Sequence, residues 1–343
     1  MSKIVLITDT HLGVRNGNQT ILDHQIRFYE GVLFPYMRDK GIRTIIHLGD
    51  FFDTRSAISH KTIWHAQWFV DALESFDATM HILVGNHDIP NKSDNDFDAT
   101  SMLLKSNNVR VYSKNTLAYP EDCGFAFVPW VNKNNYNDFV SFIETTKAKY
   151  LFGHFDFLGA KFNKYDQAST HGIDPNLVKK FDKVFSGHFH TKSTLGNIEY
   201  LGAPFEYTWA DWDDPKGFHV FNDETGKLTF VKNPEKLFYK VTVAEDGATT
   251  YVPEIKSNQD LSGKFVMVES FCTDKKVVQK LCEGIGEVED LQVTVKPVET
   301  LLEEIEVKSL DTMLVDGVQS ISEKRRDGVL NILQSAMDAA KGK

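Results

Sequence analysis

Cysteine is scarce in this chain: Cys123, Cys272 and Cys282 are the only three among 343 residues. An odd number without metal-ligand spacing excludes a disulfide framework and a thiolate cluster, and it reads as reduced thiols in a cytoplasmic protein. Long apolar runs are missing too, so no segment is expected to span a membrane. The opening MSKIVLIT reads as a strand running into the next motif rather than as a signal sequence. Dense basic tracts are also absent, and the formal net charge is −10. Because affinity for DNA comes mainly from neutralising phosphates, a chain like this acting on DNA would borrow its grip from a partner or a dimer mate. The 41% hydrophobic content is enough for one large core and a smaller second one.

What is present is a series of metal-ligand motifs, each at the end of an apolar, strand-like run. Asp9 and His11 follow KIVLIT, and Asp50, in GDFFD, follows TIIHLG. Asn86 and His87, in GNHD, follow MHILVG; His154 follows KYLFG; and His188 and His190, in GHFH, follow KVFSG. One such motif alone is more often structural than not. Five in this order, where α/β sheets assemble their sites, make a metal centre. Carboxylate, imidazole and amide donors together suit manganese, iron or zinc. Gly49, Gly85, Gly153 and Gly187 directly precede four of the motifs, where the backbone must turn sharply.

The series DxH, GDxxD, GNHD, GH and GHxH resembles the calcineurin-like metallophosphoesterases. The details DTHLG, GDFFDTR and VGNHD are similar to the SbcD-type nuclease subunits of double-strand-break repair complexes, including their T-even phage branch. The segment Tyr200 to Phe221 resembles the stretch that closes the nuclease domain there. Two cations roughly 3.5–4 Å apart can clamp a phosphodiester, and one carboxylate must bridge them; Asp50 is the best placed. The resemblance implies that one metal takes Asp9, His11, Asp50 and His190, and the other Asp50, Asn86, His154 and His188. His87 is then left beside the site, where its imidazole can donate a proton to the leaving oxygen. Asp53 reads either as the carboxylate that orients His87 or as a turn cap.

The remaining histidines lack ligand spacing. His47 and His219 read as strand residues, His24, His60 and His65 as helical, His81 as preceding a strand, and His171 as part of a polar insertion. Arg15, Arg55, Lys92, Lys161 and Lys164 either line a substrate path or belong to a solvated surface.

Alternating strand and helix patterns predict an α/β fold, a two-sheet sandwich flanked by helices, with a small α/β cap and a C-terminal helical tail. NIEYLG, GFHVFND, GKLTFV and FYKVTV are expected to complete the second sheet. The boundaries expected are 1–243 for a nuclease domain, 244–298 for the cap and 299–343 for a linker and helical region. In that last region Ser320 and Glu323 match a capping box, and Val329, Leu333, Ala336, Met337 and Ala340 form a stripe. The stripe either folds back on its own domain or, as the resemblance implies, docks on the coiled coil of an SMC-like ATPase partner.

The resemblance further implies a two-metal, manganese-dependent nuclease acting as a 3′ to 5′ exonuclease on duplex ends and an endonuclease on single strands, in the host cytoplasm if phage-encoded. It also implies a homodimer paired through the region of Ile63, Trp64, Trp68 and Phe69, residues that a buried core helix would explain equally. A phosphatase or cyclic-nucleotide phosphodiesterase is the alternative, although GDFFDTR lacks the Arg-Gly usual in phosphatases. A scaffold with a degenerate site is the third reading, opposed by the complete ligand set.

Overall fold

A computed structural model describes residues 3–120 and 124–296. Cys123, the capping box and the C-terminal stripe lie outside the described residues.

The first six-stranded sheet runs, in spatial order, Lys227–Lys232, Gly217–Asn222, Lys3–Ile7, Thr44–His47, Thr79–Leu83 and Val109–Tyr112. The second runs Thr116–Ala118, Phe125–Val128, Tyr150–His154, Lys183–Gly187, Ile198–Tyr200 and Ser193–Leu195. The middle strands of each sheet are parallel, which places their carboxyl ends on one rim.

Period-two alternation sorts the strand residues between two faces. Ile4, Leu6, Ile46 and Leu83 point between the sheets and meet Phe125, Phe127, Phe152 and Phe185. Each such buried side chain contributes roughly 1.5–3 kcal/mol. On the other face of the first sheet, Val5, Ile7, Ile45 and Ile82 pack against Leu22, Phe28, Phe34, Phe69 and Leu73 from the helical layer. On the outer face of the second sheet, Ala126, Val128, Leu151 and Val184 pack against Phe139 and Ile143 of the helix Tyr136–Thr145. The sandwich flanked by helices is therefore the architecture.

The helical run after the first strand comprises Gln19–Phe28, a π-helical turn Tyr29–Leu33, and Phe34–Asp39. Pro35 has no N–H for the regular ladder, and Phe34 N instead bonds the carbonyl of Tyr29. The next helix, His60–Glu74, is capped by the Ser59 side chain on Thr62 N at 3.1 Å.

Three expectations are corrected. The late strands do not all complete the second sheet. Gly217–Asn222 and Lys227–Lys232 extend the first, through antiparallel pairing of Gly217–Asn222 with Lys3–Ile7. The small domain begins before Ala244, because Phe238–Val243 pairs in parallel with Phe265–Ser270 at all six positions, and Phe238 stacks on Phe265 with ring centroids 4.7 Å apart. That sheet has the order Thr249–Val252, Phe238–Val243, Phe265–Ser270, Asp290–Val295. Its core includes Val241, Val266, Val268 and Ile285. Finally, His81 lies within a strand rather than before one.

The cap is tied down beside the first motif. The Arg15 guanidinium lies 4.6 Å from the Phe265 ring centroid, and Asn18 and Thr20 bond the Glu289 carboxylate at 2.7 and 2.6 Å. Arg15 is thus a cap contact. Among the described residues, no helix is long and apolar enough to cross a membrane.

Candidate metal centre

The parallel strands deliver all seven proposed ligands and His87 to one rim. Asp9 and His11 follow the strand Lys3–Ile7, Asp50 follows Thr44–His47, Asn86 and His87 follow Thr79–Leu83, His154 ends its strand, and His188 follows Lys183–Gly187. Reaching inward forces unusual backbone. Asp9, His11, Asp50 and His188 have φ of 50°, 43°, 54° and 85°, a region costing about 1–2 kcal/mol for an L-residue. The turns are held by Asp9 N to Gly49 O at 3.0 Å, His11 N to Asp50 O at 3.1 Å, and the Tyr207 hydroxyl donating to Asp9 O at 2.7 Å. Gly85 and Gly187 are glycine for lack of room. A Cβ on Gly85 would fall 2.2 Å from Asp50 N and Oδ1, and one on Gly187 would fall 2.1 Å from Thr8 Oγ1.

Two clusters converge. Asp9, His11 and His190 form one and Asp50, His154 and His188 the other, and Asp53 and His87 close a third group around the shared His11. Asp50 lies between them, its Oδ2 3.7 Å from His11 Nε2 and 3.4 Å from His154 Nε2.

Tautomers follow from the partners. The Leu48 carbonyl can only accept, so His154 Nδ1, 2.7 Å away, carries the hydrogen. Its Nε2 lone pair then faces Asn86 Oδ1 at 3.1 Å. His11 Nδ1 and His190 Nδ1 make no such hydrogen bond but stand at ion-pair distance from carboxylates, 3.3 Å from Asp53 Oδ1 and 3.7 Å from Asp211 Oδ1, whose charge favours the hydrogen on that nitrogen. That leaves His11 Nε2 facing His190 Nε2 at 3.1 Å. Acceptors aimed at each other at such distances call for a cation or a proton between them. Although burial opposes it, the Asp50 charge raises His154 to about 9, a sign that the cluster's negative charge draws positive charge in. Burial depth, donor type and lone-pair direction therefore fit divalent cations at both clusters.

His87 stands beside the clusters, its ring centroid 4.8 Å from that of His11. Its backbone N–H donates to Asp50 Oδ1 at 2.7 Å. Its Nδ1 donates to the Asp53 carbonyl at 2.6 Å. Burial lowers its pKa against the pull of Asp50, so the neutral ring presents an open Nε2. The reading of Asp53 as the carboxylate that orients His87 needs correction. Asp53 bonds that ring through its backbone carbonyl, while its carboxylate faces the His11 ring.

Several supporting residues escape the motif reading. Asp88 accepts from Gly85 N at 2.9 Å and Phe52 N at 3.0 Å, clamping the second and third motifs together. Burial, with the Asp50 charge beside it, pushes its carboxyl up to about 7. Trp130 packs 5.0 Å from the His188 ring. Behind His190 lies a buried ion network in which Lys216 Nζ meets Asp211 at 3.0 Å, Asp214 at 2.8 Å and the His190 carbonyl at 2.7 Å. The closely spaced acids and lysine of ADWDDPKG are the only trace of this network in the sequence.

Of the other candidates, Arg55 Nε donates to the Asn86 carbonyl at 2.9 Å and belongs to the site. His47 is buried, with Nε2 2.9 Å from Thr10 Oγ1, and His171 is an exposed partner of Asp156 at 3.1 Å. In the helix His60–Glu74, Phe69 is core and Trp68 is half-buried against it, whereas Trp64 is 62% exposed.

Residues 2–192 match the family described as calcineurin-like phosphoesterase. The chain is 31% identical over 338 residues to "Exonuclease subunit 1" of Enterobacteria phage T4, covering 96% of each chain. It is 22% identical over 276 residues to an SbcCD nuclease subunit of Staphylococcus saprophyticus, covering 71% of each. Among solved structures, a novel archaeal phosphodiesterase aligns at 13% identity with a TM-score of 0.36, covering 67% of this chain and 99% of that one. By the family match and the near full-length relative, the chain belongs to the calcineurin-like phosphoesterases.

Proposed function

We propose that this chain is the two-metal DNA nuclease subunit of an end-processing complex, a 3′ to 5′ exonuclease on duplex ends and an endonuclease on single strands. The observation that carries the reading is the pair of imidazole–carboxylate clusters meeting at Asp50 with His87 alongside. The names of the two relatives, both nuclease subunits, favour DNA over a small phosphoester.

Asp9, His11, Asp50 and His190 would hold one manganese ion, and Asp50, Asn86, His154 and His188 the other. Bound there, the pair would supply Lewis acidity at the phosphate and a lowered pKa for an attacking water. The chain's own part is orientation and proton movement. Asp53 and Asp211 hold the His11 and His190 rings from behind. The Asp53 carbonyl fixes His87 Nδ1 as a donor, so a proton taken up at Nε2 is delivered from that nitrogen to the leaving oxygen. Arg55 stiffens the Asn86 loop.

An SMC-like coiled-coil ATPase would complete the assembly in the cytoplasm, bound through the region after Pro297 and supplying the basic surface that a chain of net charge −10 lacks. Trp64 and Ile63, rather than the buried Phe69, would form the centre of a twofold nuclease dimer. The test is digestion of end-labelled duplex, closed-circular single-stranded DNA and a phosphopeptide with manganese, with and without EDTA. Cleavage of both DNAs, abolished by EDTA, with the phosphopeptide intact, is expected. Dephosphorylation with intact DNA would assign the chain to the phosphatases.

A further inference from the structure

The polar insertion between His154 and the strand Lys183–Gly187 is a built hairpin. Lys161 bridges Ala168 in antiparallel fashion, and Phe162 N donates to Gln167 O at 3.0 Å. Asn163 Oδ1 accepts from Tyr165 N at 3.0 Å, and Asn163 Nδ2 donates to Gln167 Oε1 at 2.6 Å. Despite its polar composition this short element exposes large apolar groups. Leu158 is 45%, Phe162 40% and Tyr165 73% exposed. Single exposed apolar residues are ordinary on a surface, but a concentration of them on one ordered loop points to a ligand.

The hairpin adjoins the metal centre. The Phe162 ring centroid is 6.1 Å from that of Phe189, which sits between His188 and His190 in the chain and 5.0 Å from the His188 ring. Ser193 Oγ donates to the Lys161 carbonyl at 3.0 Å. Lys164 Nζ bonds the Trp212 carbonyl and lies 4.7 Å from the Trp212 ring centroid and 5.6 Å from that of Tyr165. Trp212 follows Asp211, the residue behind His190. The hairpin Lys161–Ala168 itself carries Lys161 and Lys164 against Asp166, which pairs with Lys161 at 2.8 Å, so it keeps one cation in excess on an acidic chain.

Flat rings interleaved with lysines, next to a centre that would hydrolyse phosphodiesters, match one ligand chemistry. We propose that the hairpin Lys161–Ala168 is a stacking platform for an unpaired nucleotide base, with Phe162 and Tyr165 supplying ring faces, Lys164 meeting a flanking phosphate, and Lys161 meeting another by exchanging Asp166 for it. The proposal rests on the nuclease reading and extends it. It gives the chain a means of holding the frayed or single-stranded part of a substrate beside the metals. Such a contact tolerates any base, because every base has a π-face.

The test uses the full-length protein in EDTA at low salt and a single-stranded oligonucleotide carrying 2-aminopurine, whose fluorescence is quenched by stacking. The wild type should bind and quench. The double variant Phe162→Leu/Tyr165→Leu keeps apolar bulk but removes both rings, so it should lose roughly 10-fold or more in affinity together with the quench. Phe162→Trp/Tyr165→Trp should retain both. Melting temperature and metal content show whether each variant is folded. Unchanged affinity and quenching in the leucine variant would overturn the proposal and leave the rings to a protein partner. A wild type that binds no oligonucleotide in EDTA yet cleaves the same strand with manganese would overturn the hairpin's role and leave the nuclease reading standing, whereas a wild type that neither binds nor cleaves it would contradict the nuclease reading.

Discussion

Asp211→Asn separates a residue that positions a metal ligand from one that merely fills space. The Asp211 carboxylate divides its work. Oδ2 accepts from Tyr207 N at 3.2 Å and from Thr208 N and Oγ1 at 3.1 Å each, while Oδ1 faces Lys216 Nζ at 3.0 Å and His190 Nδ1 at 3.7 Å. An amide has one acceptor. If it keeps the Tyr207 and Thr208 bonds, its NH2 is turned toward the Lys216 ammonium and the His190 ring. Lys216 would still hold Asp214 and the His190 carbonyl, so the stability cost is that of one charge-assisted hydrogen bond, roughly 1.5–3 kcal/mol. The His190 ring would lose its carboxylate, and removing such an outer partner typically weakens metal binding 10–100-fold. Calorimetric titration of the metal-free variant with manganese should show one site weakened by that factor and the other, built on His154, unchanged. A destabilised variant with both affinities intact would refute the positioning role and leave Asp211 as a counter-ion for Lys216 alone.

Further outcomes follow from the same geometry. His87→Asn should keep two metals and near-normal DNA affinity while turnover falls roughly 10²–10⁴-fold; an unchanged rate at saturating manganese would make His87 structural. Gly85→Ala should lose metal and melt lower, since its Cβ would collide with the Asp50 backbone nitrogen, and a variant with full metal content would show that the loop yields. Burial, with Lys192 nearby, lowers His219 to about 3, and burial, with Arg110 nearby, lowers His81 to about 4. Both rings are neutral in the folded chain, whereas in the unfolded chain they protonate near 6.5. Their stabilisation is therefore full above that pH and is lost as pH falls toward 4, at about 1.4 kcal/mol per pH unit for each ring. Urea melts across that range should show the slope, and His219→Gln should reduce it; an unaltered slope would remove His219 from the account.

The candidate metal centre was legible as a cluster because each proposed ligand lies at or just after the end of its strand, so a local pattern of apolar run and donor, with a glycine before most of them, brings it to the rim. The sandwich was legible because continuous apolar runs such as Ile4–Ile7 alternate along the chain with helical patterns, as strands covered on both faces do; which of these residues faces which layer was not. What pairs across long stretches of chain was not. Gly217–Asn222 reads equally well as a member of either sheet until its register with Lys3–Ile7 is known. Phe238–Val243 likewise looks like one more strand of the sandwich until Phe265 stacks on Phe238. Asp53 shows how far a motif reaches. Its proximity to His87 was readable, but whether its carboxylate or its carbonyl meets the ring depends on the turn. The network of Asp211 and Lys216 joins the His190 loop to a segment some twenty residues later, and no periodicity marks it. Trp64 and Phe69 share an apolar helical run, and only the packed core separates the exposed face from the buried one.

The most direct test of a shared two-metal centre is the metal content of Asp50→Asn beside the wild type, by elemental analysis after manganese loading and desalting, with DNA hydrolysis followed in the same samples. The account predicts two ions per wild-type chain, and depletion at both sites with loss of hydrolysis in the variant, because the Asp50 carboxylate lies within 3.7 Å of His11 Nε2 and 3.4 Å of His154 Nε2. Two ions retained by Asp50→Asn would contradict it.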